Sequence, residues 1–288
     1  MRFGVFAVSQ VGGGEPEAAV ASVRLAEELG FESLWLNDHV VVPSRYDSVY
    51  PYDESGKMGG DDVVDFPDPL IWLSFAAAVT SRIRLATGVL VLPQRNPVVL
   101  AKQVATLDRL SGGRVVLGVG TGWLAEEFAA VGVDFAGRGR RHDDYLAAMR
   151  QLWTGEPASV DRDTVSFSGV VSVPTPAQSR VPIVVGGGGP RAIRRAAQLG
   201  DGLFPAALPA GEVAKTARLL REETERAGRP AGSVGLTVID GAQDLDEFSR
   251  LVEQHGAAGV ERILIPVRPE KELRTFAEAM SARFGMTA

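Results

Sequence analysis

Residues 83–123, IRLATGVLVLPQRNPVVLAKQVATLDRLSGGRVVLGVGTGW, decide the fold of this chain. Asn96 and Pro97 are typical of the N-cap and first residue of a helix, and Ser111-Gly112-Gly113 predicts where that helix ends. The run VVLGVG that follows is continuously apolar, as expected of a parallel strand buried on both faces. The stretch therefore predicts a strand, a helix and a second strand parallel to the first.

The same alternation continues along the whole chain. It predicts a parallel sheet, and eight strand–helix repeats favour a closed (β/α)8 TIM barrel over an open doubly wound sheet. A barrel of this kind needs roughly 250 residues, which suits a single domain spanning 1–288. The predicted strands are 3–8, 33–37, 84–90, 115–119, 183–185, 202–205, 235–239 and 262–266, and the predicted helices are 16–29, 69–81, 97–110, 140–152, 190–199, 212–227, 245–255 and 270–283.

Two segments exceed the minimum that a barrel requires. Residues 40–66 form a loop with three tyrosines, two glycine clusters and many acids, and loops of such length are usually lids or disordered. Residues 156–180 alternate in a way typical of a strand or hairpin. We expect both insertions at the carboxyl-terminal face, where barrel enzymes build their sites.

Composition limits the possible classes of protein. The chain has 288 residues, 45% of them hydrophobic and 23% charged, which allows a full core. It has no cysteine, so neither disulfides nor thiolate metal sites are expected. A formal charge of −6 argues against nucleic-acid binding, and no apolar run is long enough for a bilayer. We expect a cytoplasmic protein that binds a small molecule.

A glycine-rich turn offers a candidate anion site. In VVGGGGPRAIRR, residues 184–195, Pro190 is placed to begin a helix after four glycines. Arg191, Arg194 and Arg195 then oppose the helix dipole unless a bound anion compensates them. The segment is either a phosphate site or a plain turn with solvated arginines.

Two other strand ends carry candidate site residues. Gly120, Thr121 and Gly122 either allow a ligand to approach the backbone closely or form only a tight turn. His39 follows Asn37 and Asp38 at the end of the second predicted strand, and such a histidine is either structural or functional. We expect the other two histidines, His142 and His255, to be surface residues.

Several kinds of catalysis lack their motifs. The sequence contains no H-x-H or H-E-x-x-H metal motif and no G-x-S-x-G elbow, and we expect no metal site. Paired carboxylates are missing from the fourth strand end, where a barrel glycosidase needs them. The remaining hypothesis is a barrel whose bound cofactor carries the reaction.

These motifs together resemble the luciferase-like monooxygenase superfamily over nearly the whole chain. The resemblance is carried by the opening stretch, by LWLNDH ending at His39, by PIVVGGGGP ending at Pro190 and by LGDG at 199–202. The Asp38-His39 pair and the length are most similar to the branch that uses the deazaflavin coenzyme F420.

The resemblance implies roles for particular residues. Asp38 and His39 match the pair beside the reactive ring carbon, with His39 as proton donor or acceptor. A non-prolyl cis peptide behind the ring matches Gly88-Val89. The cofactor wall matches Gly120, Thr121 and Gly122, and the phosphate loop matches Gly187, Gly188 and Gly189, with Arg191 nearby.

The activity implied is hydride transfer between the deazaflavin and a small organic substrate, in a homodimer. Sugar-phosphate dehydrogenases of this branch have a glutamate where this chain has Trp123, which argues against a sugar-phosphate substrate. We expect Trp123, Phe204 and Tyr50 to line the pocket, and Trp35 to lie in the core. Two alternatives stay open: an FMN-dependent monooxygenase served by a separate reductase, and a flavin-binding barrel without activity.

Overall fold

The protein is a closed barrel of eight parallel strands surrounded by helices. The structure, a computed structural model, describes residues 1–6, 15–58, 65–242 and 244–286. The end of the first predicted strand and residues 59–64 of the predicted lid lie outside these ranges. Within them, none of the helices is both long and apolar enough to cross a membrane.

The strands agree with the predicted positions to within a few residues. In chain order they are β1 (Arg2–Phe6), β2 (Ser33–Leu36), β3 (Arg84–Thr87), β4 (Leu90–Val91), β5 (Val115–Gly120), β6 (Ala158–Arg162), β7 (Val165–Val170), β8 (Ile183–Gly186), β9 (Gly202–Phe204), β10 (Gly235–Ile239) and β11 (Arg262–Pro266). Around the barrel the order is β1-β2-β3-β5-β8-β9-β10-β11, and β11 pairs with β1 to close it.

The helices follow the strands as the sequence predicts, with one addition. A short helix, α4, occupies part of the β5 connection, and α5 begins two residues before its predicted start. The helices are α1 (Pro16–Glu28), α2 (Pro69–Val79), α3 (Pro97–Leu110), α4 (Ala125–Ala130), α5 (Arg138–Leu152), α6 (Pro190–Leu199), α7 (Val213–Arg226), α8 (Leu245–Ala258) and α9 (Glu270–Phe284).

Alternation along the strands divides the core into two layers. In β2, Leu34 and Leu36 belong to the layer between barrel and helices, whereas Trp35 belongs to a separate cluster with Phe204 and Leu264. Successive strand side chains point to opposite faces, so this second cluster fills the barrel interior. Trp35 is fully buried there, which confirms its expected place in the core.

The second insertion forms the antiparallel hairpin β6–β7, packed against α5. It leaves the barrel after a helix, so it begins and ends at the amino-terminal side of the strands. The Gln178 side chain accordingly donates to the carbonyl of Val115, the first residue of β5, over 2.9 Å. The expectation that both insertions lie at the carboxyl-terminal face is therefore wrong for residues 156–180, which follow a helix. The first insertion, whose described part is 40–58 and 65–66, follows a strand and lies at that face.

Candidate active site

A cavity of about 690 Å³ opens at the carboxyl-terminal end of the barrel. Its floor and walls come from the carboxyl-terminal ends of all eight barrel strands, and the described part of the 40–66 insertion covers it. Both the position and the volume are those of a barrel active site, since small-molecule sites measure roughly 300–1,000 Å³. The cavity is therefore the candidate active site.

The Val89 side chain shapes the cavity floor. The peptide bond between Gly88 and Val89 is cis, as the resemblance implies. A Cβ atom built on Gly120 would lie 2.7 Å from a methyl of Val89, and one built on Gly186 would lie 2.8 Å from it. These two glycines thus form a notch that receives Val89. The close approach expected at Gly120 is made by this side chain of the protein itself.

Asp38 lies in the cavity wall with both carboxylate oxygens engaged. Arg95 donates to Oδ1 over 2.8 Å, and the N–H of Val91 donates to Oδ2 over 2.9 Å. Arg95 also donates to Asp68, which caps α2. Burial raises the pKa of Asp38, against the opposing effects of Arg95 and the Val91 amide. These contacts connect the end of β2 with β4 and with the start of α2.

His39 projects into the same cavity, and Glu127 fixes its ring. Nδ1 of His39 lies 3.2 Å from the Glu127 carboxylate, which also accepts from the N–H of Val40 over 2.6 Å. Burial opposes ionisation of Glu127, but hydrogen bonds from His39 and Val40 outweigh it and lower the pKa of Glu127. A carboxylate accepts from an N–H, so Nδ1 carries the proton. In the described part of the chain nothing bonds Nε2.

Aromatic side chains cover the cavity above His39. Trp123 lies edge-on to the rings of His39, Tyr46 and Tyr50, with centroid distances of 6.1, 5.7 and 5.0 Å. Phe66 also lies edge-on to His39, with a centroid distance of 5.0 Å. Trp123, Tyr50 and Phe204 all line the cavity, as expected from the sequence.

The glycine-rich turn between β8 and α6 borders the cavity through Gly186 and Gly187. Gly187 has φ of +113°, a conformation that a side chain would strain. Gly188 and Gly189 lead directly into α6, whose first residue is Pro190 as predicted. The turn therefore presents the amino terminus of α6 next to the cavity.

The arginines near this turn differ in their surroundings. Arg195 is compensated within the protein by Asp143. Arg191 is exposed, and Arg138 is half-buried beside it, donating to the Gly122 carbonyl over 3.1 Å. Burial and the Arg191 guanidinium both lower the pKa of Arg138. Arg138 and Arg191 are thus two neighbouring cations close to a helix amino terminus, an arrangement that favours an anion.

Two histidines lie elsewhere than the sequence suggested. The expectation that His142 and His255 are surface residues is wrong, since both side chains are buried. Nδ1 of His142 contacts Asp143 at 3.0 Å, and His255 faces Asp240 at 3.7 Å. Helical periodicity alone missed this. The partner of His142 is its neighbour in sequence, whereas only the fold brings Asp240 near His255.

Sequence reasoning also missed Glu127 and its neighbour Glu126. Both are in the first turn of α4, the helix that was not predicted. Glu126 accepts from the N–H groups of Asp47 and Ser48 at 2.7 and 3.1 Å. Glu127 therefore binds the start of the 40–58 segment at Val40, and Glu126 binds the same segment at Asp47 and Ser48. Their position in the first helical turn, where acids are favoured, was the one available signal.

Known proteins are similar in sequence to most of this chain. The family model for luciferase-like monooxygenases matches residues 1–267. An uncharacterized protein of Mycobacterium tuberculosis is 32% identical over 286 residues, 98% of each chain. An F420-dependent glucose-6-phosphate dehydrogenase of Kineococcus radiotolerans is 34% identical over 219 residues, which are 74% of this chain and 60% of the relative.

Solved structures share the fold at lower identity. An F420-dependent secondary alcohol dehydrogenase in complex with an F420–acetone adduct has a TM-score of 0.80 at 18% identity, over 100% of this chain and 99% of that one. A monooxygenase from Streptomyces bottropensis has a TM-score of 0.73 at 24% identity, over 99% and 98%. By the match of the family model and the full-length relative, the chain belongs to the luciferase-like monooxygenase family.

Proposed function

We propose that the protein is an oxidoreductase that uses coenzyme F420 to transfer a hydride to or from a small organic substrate. The observation that carries this proposal is the His39 ring, fixed by Glu127 at 3.2 Å, in the same cavity as the Val89 floor. Such an arrangement supplies a proton donor or acceptor beside a site for a planar ring. The glucose-6-phosphate dehydrogenase relative supports the choice of F420.

The residues present fit a flat cofactor with an anionic tail. Val89 would support the ring, with Gly88 beside it, and Gly120, Thr121 and Gly122 would form one wall. The Oδ1 atom of Asn37 is buried without a hydrogen-bond partner in the described residues, and this residue also lines the cavity. A polar ring edge would supply the missing hydrogen bond.

The anionic tail would bind at the turn before α6. Gly187, Gly188 and Gly189 would present backbone N–H groups there, and Arg191 with Arg138 would balance the negative charge. A bound phosphate would relieve the repulsion between these two guanidinium groups. The same turn would serve the phosphate of FMN, so the turn does not by itself select the cofactor.

The chemistry divides between the cofactor and the chain. When bound, reduced deazaflavin supplies a hydride to a carbonyl carbon and is itself oxidised by two electrons, or accepts a hydride in the reverse direction. His39 then gives the carbonyl oxygen its proton from Nε2, or removes it in reverse. Glu127 accepts the hydrogen bond of Nδ1, so Nε2 is the nitrogen that gives or takes the substrate proton.

Titration with F420 and, separately, FMN tests the cofactor. Gly189 is the position to alter, because a Cβ there meets nothing within 4 Å and its φ is −80°. The Gly189→Asp substitution would cap α6 without strain yet place a carboxylate at the anion site. We expect micromolar or tighter F420 binding in wild type and Gly189→Ala, and at least about tenfold weaker binding in Gly189→Asp.

Activity with a hydride acceptor separates the alternatives. His39→Gln should keep F420 affinity and lower turnover by about 10²- to 10⁴-fold. Preference for FMN with substrate-dependent oxygen uptake would instead establish the monooxygenase. Flavin binding without turnover of any substrate would identify a barrel that only binds its cofactor.

A further inference from the structure

The cover of the cavity is aromatic, whereas its floor is built from glycine and valine. Tyr50, Tyr52, Trp123 and Phe66 line the upper part. Tyr50 contacts Trp123 at 5.0 Å and Tyr52 at 5.3 Å, both edge-on. Edge-to-face contacts fix the orientation of each ring. The cover is therefore a set of oriented aromatic surfaces facing the space where a substrate would lie above a ring on Val89.

Positive charge is missing from this lining. No lysine or arginine occurs among the described residues that line the cavity. Arg95 and Lys57 lie nearby, and both are engaged. Arg95 binds Asp38 and Asp68, and Lys57 donates to the Tyr46 carbonyl with its ammonium 4.4 Å from the Tyr46 ring. A negatively charged substrate would find no partner here.

The other polar groups of the lining are neutral or already paired. Burial, with nearby tyrosines and Asp53, raises the pKa of Tyr50, so its phenol stays uncharged at neutral pH. The carboxylates of Asp38 and Glu127 are bonded to Arg95 and His39. Their negative charge adds to the cost of placing an anion beside them.

We propose that the substrate is an uncharged, planar aromatic ketone or aldehyde, or the corresponding alcohol, held under Tyr50 and Trp123. This inference rests on the proposed function and names its substrate class. The carbonyl oxygen lies toward His39 Nε2, and the apolar ring stacks among the aromatic rings of the cover. Anions are confined to the turn before α6, where Arg138 and Arg191 lie.

Two probes with the same ring system test the preference for neutral compounds. 2-Acetonaphthone and 2-naphthoate differ mainly in charge, and glucose 6-phosphate and cyclohexyl methyl ketone serve as further probes. Binding is measured by calorimetry on protein saturated with oxidised F420, so that the ring site is filled. We expect 2-acetonaphthone to bind at least about tenfold more tightly than each of the other three.

Variants of the cover test which residues make the contact. Tyr50→Leu and Trp123→Leu should each weaken 2-acetonaphthone binding about three- to tenfold, the range of an aromatic pair. Tyr50→Phe keeps the ring and should bind as wild type. Val49→Ala alters the exposed neighbour in the same loop and should change nothing, which controls for disturbance of the loop.

The outcomes separate the substrate class from the cofactor. Equal or tighter binding of 2-naphthoate or glucose 6-phosphate would overturn the inference while F420 binding still supports the proposed function. So would Tyr50→Leu and Trp123→Leu that bind the ketone as well as Val49→Ala does. If F420 does not bind, the same titrations are made with FMN-loaded protein, and a ketone preference there upholds the substrate class while the F420 proposal fails.

Discussion

Glu127 is the residue on which the position of His39 depends. It is 1% exposed, and the bonds from His39 and Val40 lower the pKa of its carboxyl group despite burial. A carboxyl group whose pKa is lower in the folded state adds stability above its unfolded value, about 4.5, and that stability is lost as the pH falls below it. We expect Glu127→Gln to lower the free energy of unfolding by about 1–3 kcal/mol at pH 7.

Urea denaturation at pH 7 and at pH 4 checks this expectation. The difference between wild type and Glu127→Gln should shrink at the lower pH, because below about 4.5 the unfolded wild-type chain takes up a proton at this carboxyl group and the stabilisation decreases. Glu156→Gln, at an exposed position, is the control and should leave stability unchanged at both values. An equal loss at the two pH values would show that Glu127 acts through packing and not through its charge.

The notch around Val89 gives a second prediction about single residues. Gly120→Ala places a Cβ 2.7 Å from a Val89 methyl, so we expect it to lower the free energy of unfolding by about 1–3 kcal/mol. Adding Val89→Ala removes that methyl and should restore part of the loss. Gly211→Ala, where a Cβ meets nothing within 4 Å, is the control. If the losses of stability from Gly120→Ala and Val89→Ala simply add in thermal denaturation, Val89 does not pack against Gly120 as described.

The sequence predicts these residues one by one but not the contacts between them. The sequence shows that Gly120 and Gly186 are glycines at strand ends. It does not show that they contact the Val89 side chain, which lies between β3 and β4. The contact of His39 with Glu127 likewise joins the ends of β2 and β5. Such contacts depend on which strand ends are neighbours around the barrel. A sequence pattern does not show how far apart two strand ends lie.

At the scale of elements, Glu126 connects α4 to the lid segment. Hydrogen bonds from the Ser48 hydroxyl and the Asp47 N–H lower the pKa of Glu126 to about 2. The connection is therefore complete above pH about 4.5 and is lost as the pH falls toward 2. At pH 7 we expect Glu126→Gln to loosen residues 47–48 and to raise the rate of tryptic cleavage after Arg45 several-fold.

A matched variant in the same loop makes this test specific. Glu54→Gln removes the same charge at an exposed position, and it should be cleaved like wild type. Limited proteolysis followed by mass spectrometry gives the rate at Arg45 directly. If both variants are cleaved faster, the loop responds to net charge and the Glu126 contact has no special part.

Helix ends were predictable wherever a side chain caps the helix. Asn96 accepts from the N–H groups of Val98 and Val99, as its place before Pro97 predicted. The six-residue helix α4 escaped prediction because its N-cap residue is Leu124, which gives no capping signal. Glu126 and Glu127 on this helix bind residues 39–48, a tertiary contact that local sequence preference does not contain.

At the scale of the whole molecule, strict alternation was enough to predict the barrel. Eight apolar strand signals with helices between them leave few arrangements other than closure. The chemistry of the cavity was less predictable, because much of its cover comes from the 40–66 insertion, whose described residues form neither a helix nor a strand. The sequence does not show which way the side chain of a tyrosine in a loop points. The structure shows that Tyr50 and Tyr52 line the cavity.

We propose a homodimer as the assembly, with exposed apolar side chains of α2 and α3 in its interface. Ile71 and Phe75 on α2 are 75% and 41% exposed, and Val98 and Val99 on α3 are 38% and 55% exposed. The Arg95 bond to Asp68 joins the residues just before the two helices, so the exposed apolar side chains Ile71, Val98 and Val99 belong to the neighbouring first turns. Patches of this kind mark interaction sites, and a second copy offers a complementary surface by two-fold symmetry.

A charge in this patch should separate the two copies. In a two-fold interface Ile71→Arg places two like charges near each other, so we expect the dimer dissociation constant to rise about thirtyfold or more. Sedimentation velocity over a concentration series measures it. Val171→Arg, at a similarly exposed apolar position after β7, should leave the dimer intact. A monomeric wild type, or equal dissociation by both variants, would remove α2 and α3 as the interface and leave their exposed apolar side chains without a partner.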